Sequence, residues 1–258
     1  MKAKKKLLYF WIVIFIFSKI IIGIIPAINA EQTITAFYPG EKLTYSLKWG
    51  FIPAGQSVLE ILPDTSISGQ QAYHFQLKAQ TNAFIDKIYQ VRDQIDAYAS
   101  IDMTHSLHYQ KIVREGRTKR DIIVTFDWKK NFAQYSNFNE KKDPIPIPLQ
   151  TFDPLSAFYY LRLYLPVSGK TMQTTVTDGK KCVSGVVKYI KRESISVPFG
   201  TFSTWLIEPD IKDVGGVFEK SKNAKIQIWI TDDERRIPVL LRSKVIVGSF
   251  YAELIKIE

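Results

Sequence analysis

Residues 153–166 read DPLSAFYYLRLYLP, and between its terminal prolines only Ser156 and Arg162 are strongly polar. Asp153 suits a helix N-cap. Pro154 suits the first helical position, where its missing N–H leaves nothing unpaired, and Pro166 stops the element. A helix that is apolar on nearly every side must be covered on most of them. The flanking sequence offers the cover. In KLTYSLKWG (42–50), Leu43, Tyr45, Leu47 and Trp49 alternate with Lys42, Thr44, Ser46 and Lys48, the two-residue period of a half-buried strand. YHFQLKAQ (73–80) repeats it, and LHYQKIV (107–113) and DIIVTFDW (121–128) flank a hairpin turn at Arg114-Glu115-Gly116-Arg117. Further strand-like runs follow Met172, Cys182, Phe202, Ile226, Pro238 and Phe250, with turn signals such as Ser68-Gly69 and Asp178-Gly179 between several strands. The fold class predicted is mostly β: a curved antiparallel sheet, a half-barrel or open barrel, enclosing one apolar helix. Phe158, Tyr159, Tyr160 and Tyr164 would supply much of the contact. A second, shorter helical window lies around NAFIDKIYQ (82–90).

The first thirty residues stand apart. A basic start, an apolar run from Leu7 to Ile25, Pro26, and Ala30 as a small residue before Glu31 are the layout of a secretory signal peptide. The run is long enough for an uncleaved inner-membrane anchor to be the alternative. The expected organisation is therefore 1–30 as signal peptide or anchor and 31–258 as one β-rich domain, periplasmic or tethered to the inner membrane and facing the periplasm. Removing residues 1–30 takes away five lysines and no acid, so the formal net charge falls from +10 to +5. A nucleic-acid partner loses its support, while a mild attraction to anionic membrane survives. Membrane contact is expected only through the N-terminal segment, if that segment is uncleaved. Cys182 is the single cysteine, so no intramolecular disulfide forms.

The blocks FYPGEKLTYSLKWGFIPAG, KIYQVRDQIDAY, REGRTKRDIIVTFDW, FDPLSAFYYLR and IWITDDERRIPVLLRSKVIVG resemble, in wording and order, a bacterial exported family called domain of unknown function 3108. That resemblance implies an envelope protein, mostly β, with no activity or catalytic residues to carry over. The segment IWITDDERRIPVLL is also similar to a hairpin in periplasmic lipoprotein carriers, half-barrels that hold acyl chains in their hollow.

Candidate sites divide between these readings. Asp232 and Asp233 could form a metal or acid–base pair, but neighbours on a strand point to opposite faces, and Asp, Arg235, Arg236 and Pro238 have ordinary roles in a hairpin tip. Arg162 in an enclosed helix needs a carboxylate, since an unpaired buried charge is very costly. Asp93, Asp127 and Glu115 are the candidates. Alternatively Arg162 grips the anionic head of a ligand. His105 and His108 are spaced for opposite faces of a strand, His74 faces away from Tyr73 and Phe75, and no zinc site follows. Neither a nucleophile elbow nor a Gly-rich phosphate loop is present, so no catalytic residue, metal or cofactor is expected. Two functions remain. One is a binding module whose hollow, lined by Trp49, Phe158, Tyr159, Arg162 and Trp229, takes an apolar or lipidic ligand. The other is an interaction protein whose hollow is filled by its own helix and which acts through an envelope protein partner.

Overall fold

The computed structural model describes residues 36–164, 171–210, 225–245 and 248–258. The segment read as signal peptide or anchor and the helix stop at Pro166 lie outside those residues. The described strands are β1 (Lys42–Trp49), β2 (Ile52–Ile67), β3 (Gln70–Thr81), β4 (Arg92–Ser100), β5 (Ser106–Glu115), β6 (Thr118–Asp127), β7 (Phe132–Asn137), β8 (Glu140–Lys141), β9 (Ile145–Pro146) and β10 (Thr151–Phe152). After the helix come β11 (Met172–Thr177), β12 (Cys182–Val197), β13 (Gly200–Pro209), β14 (Lys225–Thr231), β15 (Pro238–Val245) and β16 (Gly248–Ile257). Two helices are described, α1 (Ala83–Asp86) and α2 (Pro154–Tyr164).

All sixteen strands belong to one sheet, ordered β10 to β16, then β1 to β8, with β9 paired to β7. Every pairing is antiparallel except that of β10 with β11. The first and last strands are therefore neighbours in the middle of the sheet, with Leu43 opposite Ile257 and Trp49 opposite Phe250. Alternation then sets the faces. Leu43 and Tyr45, Leu59 and Ile61, Tyr73 and Phe75, Ala97 and Ala99, and Val124 are buried on the concave side, and their strand neighbours face outward.

The sheet is not closed by hydrogen bonds; its two ends meet through side chains. Lys180, in the β11–β12 turn, lies 4.6 Å from the centre of the Tyr135 ring on β7, and Cys182 Sγ is 3.8 Å from the Pro146 carbonyl on β9. The turn comes so close to β6 that a Cβ at Gly179 would fall 2.8 Å from Val124 Cγ2, and the glycine also has a φ of +82°. The architecture is thus an open barrel, as the alternation predicts.

Helix α2 crosses the strands at one end of this barrel. Its first turn meets Ser106 at the start of β5, and its last turn meets Glu41 just before β1. Into the concave core it drives Tyr159, whose ring stacks on Phe75 at 3.8 Å and meets Phe37 edge-on at 5.2 Å. A second contact joins Leu161 and Phe158 to Ile207, Ile228 and Ile230 on β13 and β14. The shorter helical window keeps only one turn, α1, capped by the Asn82 side chain on the amides of Phe84 and Ile85. Beyond it the chain enters β4, where inward Ile95, Ala97 and Ala99 impose a two-residue period that overrides the helical spacing.

The Tyr159 hydroxyl is buried and has no hydrogen-bond partner among the described residues. Burying an unpaired hydroxyl costs about 1–3 kcal/mol. Tyr159→Phe should therefore raise the free energy of unfolding by about 1 kcal/mol, whereas Tyr159→Ala should lower it by about 3–5 kcal/mol. Urea denaturation of the two variants measures both signs.

Candidate functional site

The helix end of the barrel is held by polar groups that are almost wholly buried. At the start of α2, Asp153 Oδ1 accepts the amides of Leu155 and Ser156, each at 2.9 Å, as the sequence predicts for an N-cap. Ser106 completes the cap reciprocally. Its hydroxyl accepts the Asp153 amide at 2.8 Å and donates to Asp153 Oδ2 at 2.5 Å. Burial pushes the Asp153 carboxyl upward, against the pull of these hydrogen bonds.

At the other end of α2, Arg162 is fully buried. Its Nη1 donates to Glu41 Oε1 at 2.6 Å and its Nη2 to Glu41 Oε2 at 3.1 Å, the forked geometry in which guanidinium and carboxylate match best. Three carbonyls accept further bonds from the guanidinium. Nη2 reaches Ala36 at 2.9 Å and Arg235 at 3.0 Å, and Nε reaches Arg236 at 3.2 Å. The rings of Phe37 and Tyr159 lie 5.5 Å from the guanidinium carbon. Tyr45, whose phenol is raised well above its ordinary range by burial, donates to the Pro238 carbonyl at 2.7 Å beside the pair.

The acidic stretch at 232–236 is the tip of the β14–β15 hairpin, and its roles are divided. Asp232 accepts from Ser203 and pairs with Arg192, and Asp233 accepts from Thr231 and the Arg236 amide. The two carboxylates do not converge. The arginines turn inward instead: Arg235 Nη2 reaches Glu41 Oε2 at 3.1 Å, and Arg236 donates to the carbonyls of Arg162 and Leu163. Those carbonyls belong to the last described turn of α2, so the hairpin ties that part of the helix down.

Arg162 is thus a structural ion-pair residue, but its partner is Glu41 and none of the three acids expected. Asp93 and Glu115 lie at the opposite end of the barrel, where Asp93 accepts the Arg114 amide at 2.9 Å. There burial, followed by the neighbouring Asp93, pushes the Glu115 carboxyl up. Asp127 is at the β6–β7 turn and accepts the amides of Lys129 and Lys130. The residues expected to line one hollow do not all come together. Trp49 is exposed at the far end and stacks on Phe250. Trp229 is buried and belongs to the same hydrophobic cluster as Tyr159, and its indole N–H donates to Glu193 at 2.9 Å. Phe158 and Tyr159 do face the concavity, as packing.

One polar group on the outer face escapes a reading by alternation alone. Asp96 on β4 is buried and accepts from His74 at 2.9 Å, Gln76 at 2.7 Å and Gln94 at 2.7 Å. His74 stacks on Tyr98 at 4.3 Å. Burial pushes the Asp96 carboxyl up, but the hydrogen bonds from His74, Gln94 and Gln76 outweigh it and bring the pKa down to about 2.

A one-sheet open barrel plugged by a transverse helix defines a β-barrel-like class of protein. The crystal structure of a β-barrel-like protein of the domain of unknown function DUF1849 from Brucella abortus shares it, with a TM-score of 0.56 at 13% identity, covering 84% of this chain and 96% of that one. A hypothetical protein, CT021, from Chlamydia trachomatis aligns with a TM-score of 0.38 at 12% identity over 86% of this chain and 87% of its own. No curated protein matches the chain. Residues 44–255 match the family described as protein of unknown function DUF3108, and the chain belongs to that family.

Two outcomes follow from the buried charges. Arg162→Met leaves Glu41 buried without its fork and should cost about 3–5 kcal/mol of stability, while Arg162→Met combined with Glu41→Leu should recover most of that loss. A double-mutant cycle in urea measures the difference. For Asp96, the folded pKa lies below the unfolded 3.8, so its contribution is complete above that value and is lost as pH falls toward 2. After discounting for solvent screening it amounts to on the order of 1 kcal/mol. Asp96→Asn should remove that part of the acid destabilisation, read from urea midpoints at pH 5 and pH 2.5.

Proposed function

We propose that the protein is a non-catalytic scaffold of the cell envelope, exported to the periplasm by its N-terminal segment, which acts through its outer surface on an envelope partner and carries no ligand in its hollow. Tyr159 is the observation that carries this reading. Its ring lies stacked on Phe75 and edge-on to Phe37, so the space beside the helix that an acyl chain would take is filled by the protein's own aromatic groups. Arg162 supports the same conclusion. Each of its three nitrogens already has an acceptor within the chain, so the guanidinium has no vacant fork to offer an anionic head group.

A ligand carrier needs an apolar space with a few convergent polar groups. Here the convergent polar groups bind one another, and the apolar groups pack. The membership in DUF3108 fits this reading without selecting it, since the family brings no activity. Native mass spectrometry of protein purified from the periplasm is the test. The expected spectrum shows the bare polypeptide mass together with a co-purifying protein. A stoichiometric lipid adduct would overturn the scaffold in favour of the carrier.

A further inference from the structure

The barrel end opposite α2 is built differently. Two neighbouring hairpin tips lie there side by side, the β1–β2 turn and the β3–β4 loop, with the β5–β6 turn next in line and the first residues of β16 on the other side. These tips present large apolar side chains to solvent. Phe51 is 91% exposed, Ile88 78% and Phe84 64%, and Tyr89, Trp49 and Phe250 are also exposed. They are not loose ends. The Asn82 amide donates to the Ala54 carbonyl at 2.9 Å and its side chain to the Pro53 carbonyl at 2.8 Å, fixing the β3–β4 loop to the β1–β2 hairpin. On the other side, the Gly116 amide donates to the Gln90 carbonyl at 2.8 Å, and a Cβ at Gly116 would fall 2.7 Å from the Tyr89 ring. The rim is one tied structure with apolar groups projecting from it.

Its charge is mostly positive. Lys87, Arg117 and Lys119 are exposed at these tips and form no ion pair among the described residues. Of the rim's described acids, Asp86 is held by Arg92 at 2.6 Å and by Thr81, while Asp93 and Glu115 lie side by side, where burial and the neighbouring Asp93 push the Glu115 carboxyl up. Exposed Phe, Ile, Trp and Tyr at the same level as uncompensated Lys and Arg is the composition of a surface that seats in the headgroup region of a bilayer. Such a surface differs from a protein-docking patch, whose apolar centre is flanked by both charge signs and depleted of lysine.

We propose that this rim docks on an anionic phospholipid surface, with Phe51, Phe84 and Ile88 entering the headgroup–acyl boundary and Lys87, Arg117 and Lys119 facing lipid phosphates. The inference is independent of the scaffold reading: it concerns the outer rim, and a filled or an empty hollow leaves it unchanged. It adds a second membrane contact to the one expected of the N-terminal segment.

The test uses the full chain with Cys182→Ser and a single cysteine introduced as Phe51→Cys, Ile88→Cys or, at the helix end as control, Ser66→Cys, each carrying an environment-sensitive fluorophore. Because all three labels share the same N-terminal segment, tethering by that segment affects them alike. On vesicles of 70% phosphatidylcholine and 30% phosphatidylglycerol, the labels at 51 and 88 should shift to the blue and become shielded from an aqueous quencher, and the label at 66 should not. Combining Lys87→Glu, Arg117→Glu and Lys119→Glu should abolish the shielding, since each basic residue at an anionic surface contributes about fivefold in affinity. Labels at 51 and 88 that stay as quenchable as the label at 66 overturn the proposal. So does equal shielding on pure phosphatidylcholine, which removes the anionic requirement, or concentration-dependent shielding without lipid, which assigns the rim to a second copy of the chain.

Discussion

Glu41 and Arg162 are two charges with no access to water, and the rest of the helix end is arranged around making that tolerable. A buried pair gains from Coulomb attraction only if its geometry is good and its leftover donors are satisfied. Here carbonyls from the chain before β1 and from the β14–β15 hairpin accept from Nη2 and Nε of Arg162, while Arg235 adds a second cation to the same carboxylate. Three stretches distant in sequence therefore have to arrive together. Arg236 then uses its own guanidinium to tie down the last described turn of α2. The helix can lie across the mouth of the barrel because its polar ends are closed, by Ser106 and Asp153 at one side and by this cluster at the other.

This arrangement closes one end of the barrel and leaves the other as a tied rim. At the helix end, a buried ion pair and the packed rings of Phe37, Phe75 and Tyr159 fill the mouth. At the far end, apolar groups stand in solvent on tips that are tied to one another by backbone hydrogen bonds. The curved sheet between them keeps both sets of turns at fixed separation, since its long strands run from one end to the other. A protein so built has an interior packed around α2 at one end and a distinct rim at the other.

Much of this was legible in the residues, and the losses have physical causes. Two-residue alternation located most strands, and Asp153-Pro154 located the start of α2, because both signals are local. The partner of Arg162 was not local. Glu41 shares the inward parity of Leu43 and Tyr45, a signal that an acid points into the core, but Asp93 and Glu115 have that parity too. What separates them is which end of the barrel the helix reaches, and that is settled by strand order. Trp49 does not reach the hollow: it lies beside a bulge of β2 and runs out to the rim.

The pairing of β1 with β16 has a kinetic consequence. The sheet's central seam joins residues 43 and 257, nearly the whole chain apart, so the largest loop that folding must close is the polypeptide itself. Until the final strand emerges, β1 keeps one unpaired edge, and the two halves of the sheet have no register with each other. High contact order of this kind slows folding and leaves strand edges open to wrong partners while the chain waits. A chain made from its N-terminus onward meets that delay at its end, because β16 completes the sheet from the middle.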